Sequence, residues 1–260
     1  MLGAIDPLYV ASGFAVGCIV GLTGVGGGSL MTPLLVLLFH VQPATAVGTD
    51  LLYAAVTKTV GTAVHRRYGT VDWRIVGALA VGSVPASIAT LLVLRALGPH
   101  AANGASLIST LLGFALLLTA LSLVMRNTLI RWSQHSADLS STRRVGLTVA
   151  VGAAIGALVS ISSVGAGAIG VTALFFLYPR LPARVIVGSD IAHAVPLTIV
   201  AGAGHWGLGL VDGHILASLL CGSIPGILLG SLLAPHFPDQ VLRYLLAAVL
   251  ALVGTRLVFA

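Results

Sequence analysis

The chain is poor in charge: of its 260 residues only 8% are Asp, Glu, Lys or Arg. Soluble domains carry about a quarter charged residues, so a water-facing globule is excluded. Cysteine is scarce as well. Cys18 and Cys221 stand alone in apolar stretches, without the close pairing of a redox motif or a metal site, and read as helix-packing residues. No polar stretch is long enough to fold as a sizeable soluble domain, and Met1 to Tyr9 lacks the basic region that precedes the core of a cleaved signal, so the first apolar run reads as a retained membrane segment. What is present is hydrophobic sequence, at 57% of positions and a mean hydropathy of +1.07. At ~20 apolar residues per span this makes room for roughly seven to ten membrane segments. The net charge of +6 would suggest nucleic acid in a soluble protein. Here the arginines sit in short loops between apolar runs, which is a topology signal, so lipid and not nucleic acid is the expected macromolecular surrounding.

The sequence repeats itself at an offset of about 140 residues. Val47-Gly48-Thr49-Asp50 pairs with Val187-Gly188-Ser189-Asp190, His65 with His205, Gly69-Thr70-Val71-Asp72 with Gly209-Leu210-Val211-Asp212, and Gly82-Ser83-Val84-Pro85 with Gly222-Ser223-Ile224-Pro225. Upstream the offset shortens by one, bringing Gly26-Gly27-Gly28 onto Gly165-Ala166-Gly167. One helical unit is therefore present twice, over residues 1–125 and 145–260, with 126–144 as a polar cytoplasmic tether.

The fold class expected is all-α: a polytopic membrane protein of two repeats, each with a glycine-broken pair of short helices and three long transmembrane helices. The segments predicted are Leu8–Leu22, Gly28–Phe39, Ala44–Arg66, Trp73–Leu97 and Gly104–Met125, then Val145–Val159, Gly167–Tyr178, Ala183–His205, Gly213–Ala234 and Asp239–Phe259. The first two of each set are too short to span comfortably, since a twelve-residue helix at ~1.5 Å per residue reaches little more than halfway through a ~30 Å core. Arg66, Arg67 and Arg74 flank one loop, Arg126, Arg131, Arg143 and Arg144 fill the central linker, and Arg180 and Arg184 flank the loop before the eighth segment, whereas His205 to His214 contains no Lys or Arg. Placing the basic loops inside makes each short pair return to the face it came from, as a re-entrant hairpin or as two short crossings. Each repeat then crosses an odd number of times, and the repeats are inverted. The expected setting is the bacterial inner membrane with both chain ends periplasmic.

The strongest local signal is Gly21-Leu22-Thr23-Gly24-Val25-Gly26-Gly27-Gly28-Ser29, which interrupts an apolar run just before a half-length helix. Glycine at this density unwinds a helix, and freed backbone survives inside a bilayer only when protein buries it or it lines a polar cavity. The following half-helix would offer free amides and a partial positive charge to an anion. The matching stretch Ser160-Ile161-Ser162-Ser163-Val164-Gly165-Ala166-Gly167 replaces some glycines by hydroxyls. Gly24, Gly26, Gly27, Gly28 and Ser29, with Ser162, Ser163, Gly165 and Gly167, are thus candidate substrate contacts. Close helix packing is the alternative account of such glycines.

Thr49 and Ser189 join the candidates as the hydroxyls of Gly-Thr-Asp and Gly-Ser-Asp, with helix capping as the competing role. Asp50 and Asp190 are the acids best placed to be buried in the membrane and are candidates for coupling or gating. Lys58 is the only lysine of the chain, either drawing cargo or snorkelling toward Arg66. His193, which replaces Tyr53 of the first copy, is a candidate pathway residue. No His or Cys set has metal-ligand spacing and no serine sits in a nucleophile motif, so neither metal, cofactor nor catalytic residue is assigned.

The Gly24–Gly28 cluster, followed by Leu30, Pro33-Leu34-Leu35 and Pro43-Ala44-Thr45-Ala46-Val47-Gly48-Thr49, resembles the TauE/SafE family of sulfite exporters over nearly the whole chain. The resemblance implies a duplicated membrane transporter whose cargo is sulfite, sulfoacetate or another small sulfur-containing anion. The second copy departs from the glycine-rich pattern at Ser162, Ser163 and Ala166. Two other classes stay open at this point, an intramembrane enzyme using His193 or His205 and an accessory membrane protein without a cargo. The assembly state is open too, a homodimer among the options.

Overall fold

Apolar runs of this length become helices because lipid offers no partner for backbone N–H and C=O groups. The computed structural model describes residues 5–23, 28–97, 105–135, 140–165, 167–233 and 239–259. Among them follow α1 (Pro7–Thr23), α2 (Gly28–Leu37), α3 (Pro43–Arg67), α4 (Trp73–Leu97), α5 (Ala105–His135), α6 (Ser141–Ser162), α7 (Ala168–Leu177), α8 (Ala183–Gly207), α9 (Gly213–Leu233) and α10 (Asp239–Phe259). Local chemistry sets several starts. Proline opens α1 and α3, where its missing N–H costs nothing. Asp72 Oδ1 accepts from the amides of Arg74 and Ile75 at 2.9 and 3.4 Å to cap α4, and Asp212 Oδ1 accepts from those of His214 and Ile215 at 2.9 and 3.0 Å to cap α9.

The repeats do not pack as separate bodies. Helix α1 lies against α9, α4 against α6, α3 against α8 and α5 against α10. Along α4 and α6 the contacts advance together: Gly152 sits on Leu79, Gly156 on Ser83, and Ser160 bonds Ser87 at 2.7 Å. These helices are parallel. So are α1 and α9, where Gly13 meets Leu219 and Gly17 meets Ser223. Along α3 and α8 the order reverses, with Gly48 against Leu210, Leu52 against Gly202, Ile191 against Gly61 and Thr70 against Gly188. Equivalent helices of the two copies therefore run antiparallel, which is the inversion expected from the arginines.

Close backbone approach explains why glycine is needed at these seams. A Cβ on Gly17, Gly82 or Gly156 would strike a backbone carbonyl of the opposing helix. Membrane helices lack a hydrophobic force between them and associate through such intimate contact. The large side chains point the other way: Leu92, Val93, Phe114, Leu121, Leu228, Leu232 and Leu252 are exposed on the outer surface, where lipid would meet them.

Each short pair folds back on itself. Thr148 Oγ1 and Tyr178 Oη are hydrogen-bonded at 2.9 Å, with the Arg144 guanidinium 5.7 Å above the Tyr178 ring, so the start of α6 meets the end of α7. At the matching place Tyr9 stacks on Phe39 with ring centroids 4.4 Å apart, joining the start of α1 to the end of α2. From Thr148 to Ser162, α6 runs about 21 Å at 1.5 Å per residue, and α7 returns about 15 Å. Each pair thus returns to the face from which it started, as expected, a path that a re-entrant hairpin and two short crossings share.

Around the centre of the chain two boundaries differ from the sequence reading. Helix α5 continues past Met125 to His135 and α6 begins at Ser141, so helix covers most of the stretch expected as a tether. Loss of apolar character marks where a helix leaves lipid, not where its hydrogen bonding ends, and nothing in Arg126–His135 breaks a helix. Helix α6, at 22 residues, is long and apolar enough to cross a membrane, where the sequence reading gave a segment too short to span comfortably.

Candidate functional site

The polar interior lies on the crossing of α3 and α8 and on the hairpins around them. Thr32, Asp50, Tyr53, Ser83, Asp190, His193 and Ser223 are all essentially inaccessible, and Lys58 and Ser163 nearly so, at 5% exposure each. Buried charge of this kind is costly in a membrane protein and is retained where it has a task.

The second break is built from a left-handed residue and two glycines. Ser163 ends α6 with φ of 56° and donates its amide to Val159 O at 2.7 Å. Gly165 and Gly167 follow at φ of 112° and 153°, which side-chain-bearing residues rarely adopt. Ser162 is used up in this turn: its Oγ donates to Leu158 O at 2.8 Å and accepts from the amide of Val164 at 3.2 Å. The Ser163 side chain instead lies against Asp50 of the first copy.

Half-helices α2 and α7 are each faced by one of the protein's own acids. Asp50 Oδ2 accepts from both the amide and the hydroxyl of Thr32, the fifth residue of α2, at 3.2 and 2.5 Å. Asp190 Oδ1 is in contact with Gly170, the third residue of α7, where any Cβ would collide with it. Among the described residues its two oxygens have no hydrogen-bond partner, and neither does Asp50 Oδ1. The two acids occupy equivalent places and have different surroundings.

Lys58 is within electrostatic reach of both Asp190 and Asp50, and also of His193. The repeat offset places Thr198 opposite Lys58, and Thr198 merely returns its hydroxyl to Ala194 O at 2.7 Å. The cation thus belongs to one copy only. His193 Nε2 is hydrogen-bonded to Ser83 Oγ at 2.8 Å, and in the mirrored position Tyr53 lies beside Ser223.

Of the residues proposed from sequence, Asp50, Asp190, Lys58, His193 and Ser163 come together in this interior. Thr49 and Ser189 face the seam between copies: Thr49 Oγ1 accepts from the amide of Asp212 and Ser189 Oγ from that of Asp72. Gly165 and Gly167 shape the break. Gly28 and Ser29 open α2, and Gly24, Gly26 and Gly27 lie outside the described residues. Sequence reasoning passed over Thr32, Tyr53, Ser83 and Ser223 as site residues. Ser83 and Ser223 were visible as a repeated Gly-Ser-x-Pro, read then only as a sign of duplication.

Residues 9–257 match the family described as Sulfite exporter TauE/SafE. A probable membrane transporter protein YjnA from Bacillus subtilis (strain 168) is 37% identical over 253 residues, covering 96% of this chain and 98% of the relative. The probable membrane transporter protein YdhB of the same organism is 28% identical over 250 residues, covering 95% and 97%. A probable membrane transporter protein of Xylella fastidiosa (strain 9a5c) is 30% identical over 250 residues, covering 94% and 90%. No solved structure matches the chain.

Proposed function

The chain belongs to the Sulfite exporter TauE/SafE family, and we propose that it carries a small sulfur-containing anion, such as sulfite, sulfoacetate or another organosulfonate, out of the cell by alternating access. The observation that carries this reading is the buried Lys58, the chain's single lysine, on one of two antiparallel equivalent helices and within electrostatic reach of Asp190, which contacts the start of the half-helix α7. A hairpin entering from each face leaves only a thin barrier at the middle, and two halves related by inversion can exchange inward- and outward-open arrangements. The bilayer middle is where such sites lie.

The basic loops support an inner-membrane orientation. Arg66, Arg67 and Arg74 lie on the same face as Arg180 and Arg184, because α3 ends where α8 begins, and the opposite loops 38–42 and 208–212 contain no Lys or Arg. With the basic face cytoplasmic, both chain ends are periplasmic. The membrane potential then favours export by about 2.3 kcal/mol per unit of net negative charge carried out and 100 mV. The relatives named as membrane transporters favour transport over an intramembrane enzyme or a cargo-free accessory protein.

Counterflow of radiolabelled sulfite, sulfoacetate and thiosulfate in proteoliposomes tests the reading, with Lys58→Met alongside. Flux of at least one anion that falls more than tenfold in Lys58→Met is expected. Absence of flux for the whole panel, with correctly inserted protein, would overturn it.

A further inference from the structure

The two repeat-related acids differ in one respect that bears on coupling. Asp50 is held by two donors of Thr32 and flanked by Ser163, so its negative charge is met by hydrogen bonds as well as by Lys58. Asp190 is 1% exposed, has no hydrogen bond to either oxygen among the described residues and presses on the glycine backbone of α7. The charge within reach of it is that of Lys58.

We propose that Asp190 takes up one proton from water when an anion binds beside Lys58, so that anion and proton occupy the carrier together. The proposal rests on the anion-transport reading. Its logic is charge balance in a place without water. An arriving anion shares Lys58 or the N-terminal turn of α7 with Asp190, and either position sets a second negative charge next to a carboxylate that accepts no hydrogen bond among the described residues. Buried like charges at short range are not both kept ionised. Asp50 retains its Thr32 donors throughout and stays the fixed tie of α2. Of the charged groups on the elements packed against α8, Lys58 of α3 is within electrostatic reach of Asp190; Asp50 and His65 lie elsewhere on α3 and His193 on its own helix, α7 carries no charged residue, and Arg74, Arg95, Arg143 and Arg144 sit near the ends of α4 and α6. Lys58 is the only one of these that offers charge compensation at the middle of the helix pair.

The test is anion binding to the full-length protein in detergent, using thiosulfate and sulfoacetate, whose charge is constant over about pH 6 to 8. Weakly buffered solution with a pH indicator reads protons, and calorimetry reads affinity. The wild type should take up about one proton per bound anion at the alkaline end, its affinity there weakening about tenfold per pH unit. Asp190→Asn, a neutral copy of the protonated acid, should bind with affinity that does not change with pH and take up no proton. Should Asp190→Asn fail to purify as a folded species, Asp190→Ala carries the same expectation. A flat pH profile in the wild type, a retained slope in the variant, or a folded variant that no longer binds would each overturn the proposal while leaving anion transport standing. If neither anion binds the wild type, the proposal falls, and the flux panel, which includes sulfite, decides whether the transport reading falls with it.

Discussion

Thr49 Oγ1 accepts a hydrogen bond from the backbone amide of Asp212 at 3.1 Å, across the seam between the two copies. The inverted repeat returns the same bond, from the amide of Asp72 to Ser189 Oγ at 2.8 Å. Gly48 and Gly188, one residue earlier, allow the loops that carry Leu210 and Thr70 to come this close. These hydroxyls, read from sequence as candidate cargo contacts or caps, tie each copy to the loop of the other.

Loss of this tie should be felt as stability. Thr49→Val and Ser189→Ala each strand a part-buried amide, at about 1–3 kcal/mol, and the double variant should lose about the sum because the sites lie at opposite ends of the helix pair. Thermal unfolding in detergent reads the loss. Half-saturation for anion flux should be unchanged in either single variant; a several-fold rise without loss of stability would restore the cargo-contact role.

The glycine seams divide substitutions sharply. Gly156→Leu forces a side chain into the Ser83 carbonyl, and Gly17→Leu into that of Ser223; both should abolish monodisperse protein in detergent chromatography. Gly77→Ala and Gly146→Ala meet nothing within 4 Å and should be neutral or stabilising by about 0.5–1 kcal/mol. Equal tolerance at both kinds of position would contradict the packing described.

Thr32 anchors Asp50 with two donors, of which Thr32→Val removes the hydroxyl alone. A hydrogen bond to a buried charged group contributes about 1.5–3 kcal/mol, and that much stability should go. Thr32→Ser should retain it. Asp50→Asn in combination with Thr32→Val should cost less than the sum of the single changes, measured by the same thermal unfolding.

The short helix pairs, each returning to the face from which it started, make a topological prediction. In a background with Cys18 and Cys221 replaced by Ala, cysteines at Leu38 and Leu208 should react with an impermeant maleimide on intact spheroplasts. Those at Tyr68 and Arg180 should react only after permeabilisation. Labelling of positions 38 and 180 from the same side would mean that α6 and α7 cross once together.

Much of the helical plan could be read beforehand. Nine of the ten predicted segments start within two residues of a helix in the structure, except that Val145 lies four residues inside α6, because proline, capping aspartates and glycine turns punctuate the chain at short range. The end of α5 could not be read from hydropathy, which reports the surrounding solvent and not hydrogen bonding. The centre was partly legible: Asp50, Lys58, Asp190 and His193 stood out as polar groups in apolar runs. Thr32, Ser83 and Ser223 did not, since a lone hydroxyl in a membrane helix most often bonds back to its own backbone, as Thr57, Thr119 and Thr198 do here.

By itself the sequence determined that the chain lives in lipid, that it is one unit written twice, and that the copies are inverted, because composition, offset and arginine placement are properties of the chain order alone. The tertiary structure decided what the repeated residues do. Interleaving of the copies, α1 on α9 and α4 on α6, sends Thr49 and Ser189 to the seam and puts Ser163 of one copy against Asp50 of the other. It also left Asp190 without the donors that Asp50 has, a difference set by which half-helix residue each acid meets, Thr32 in one copy and Gly170 in the other.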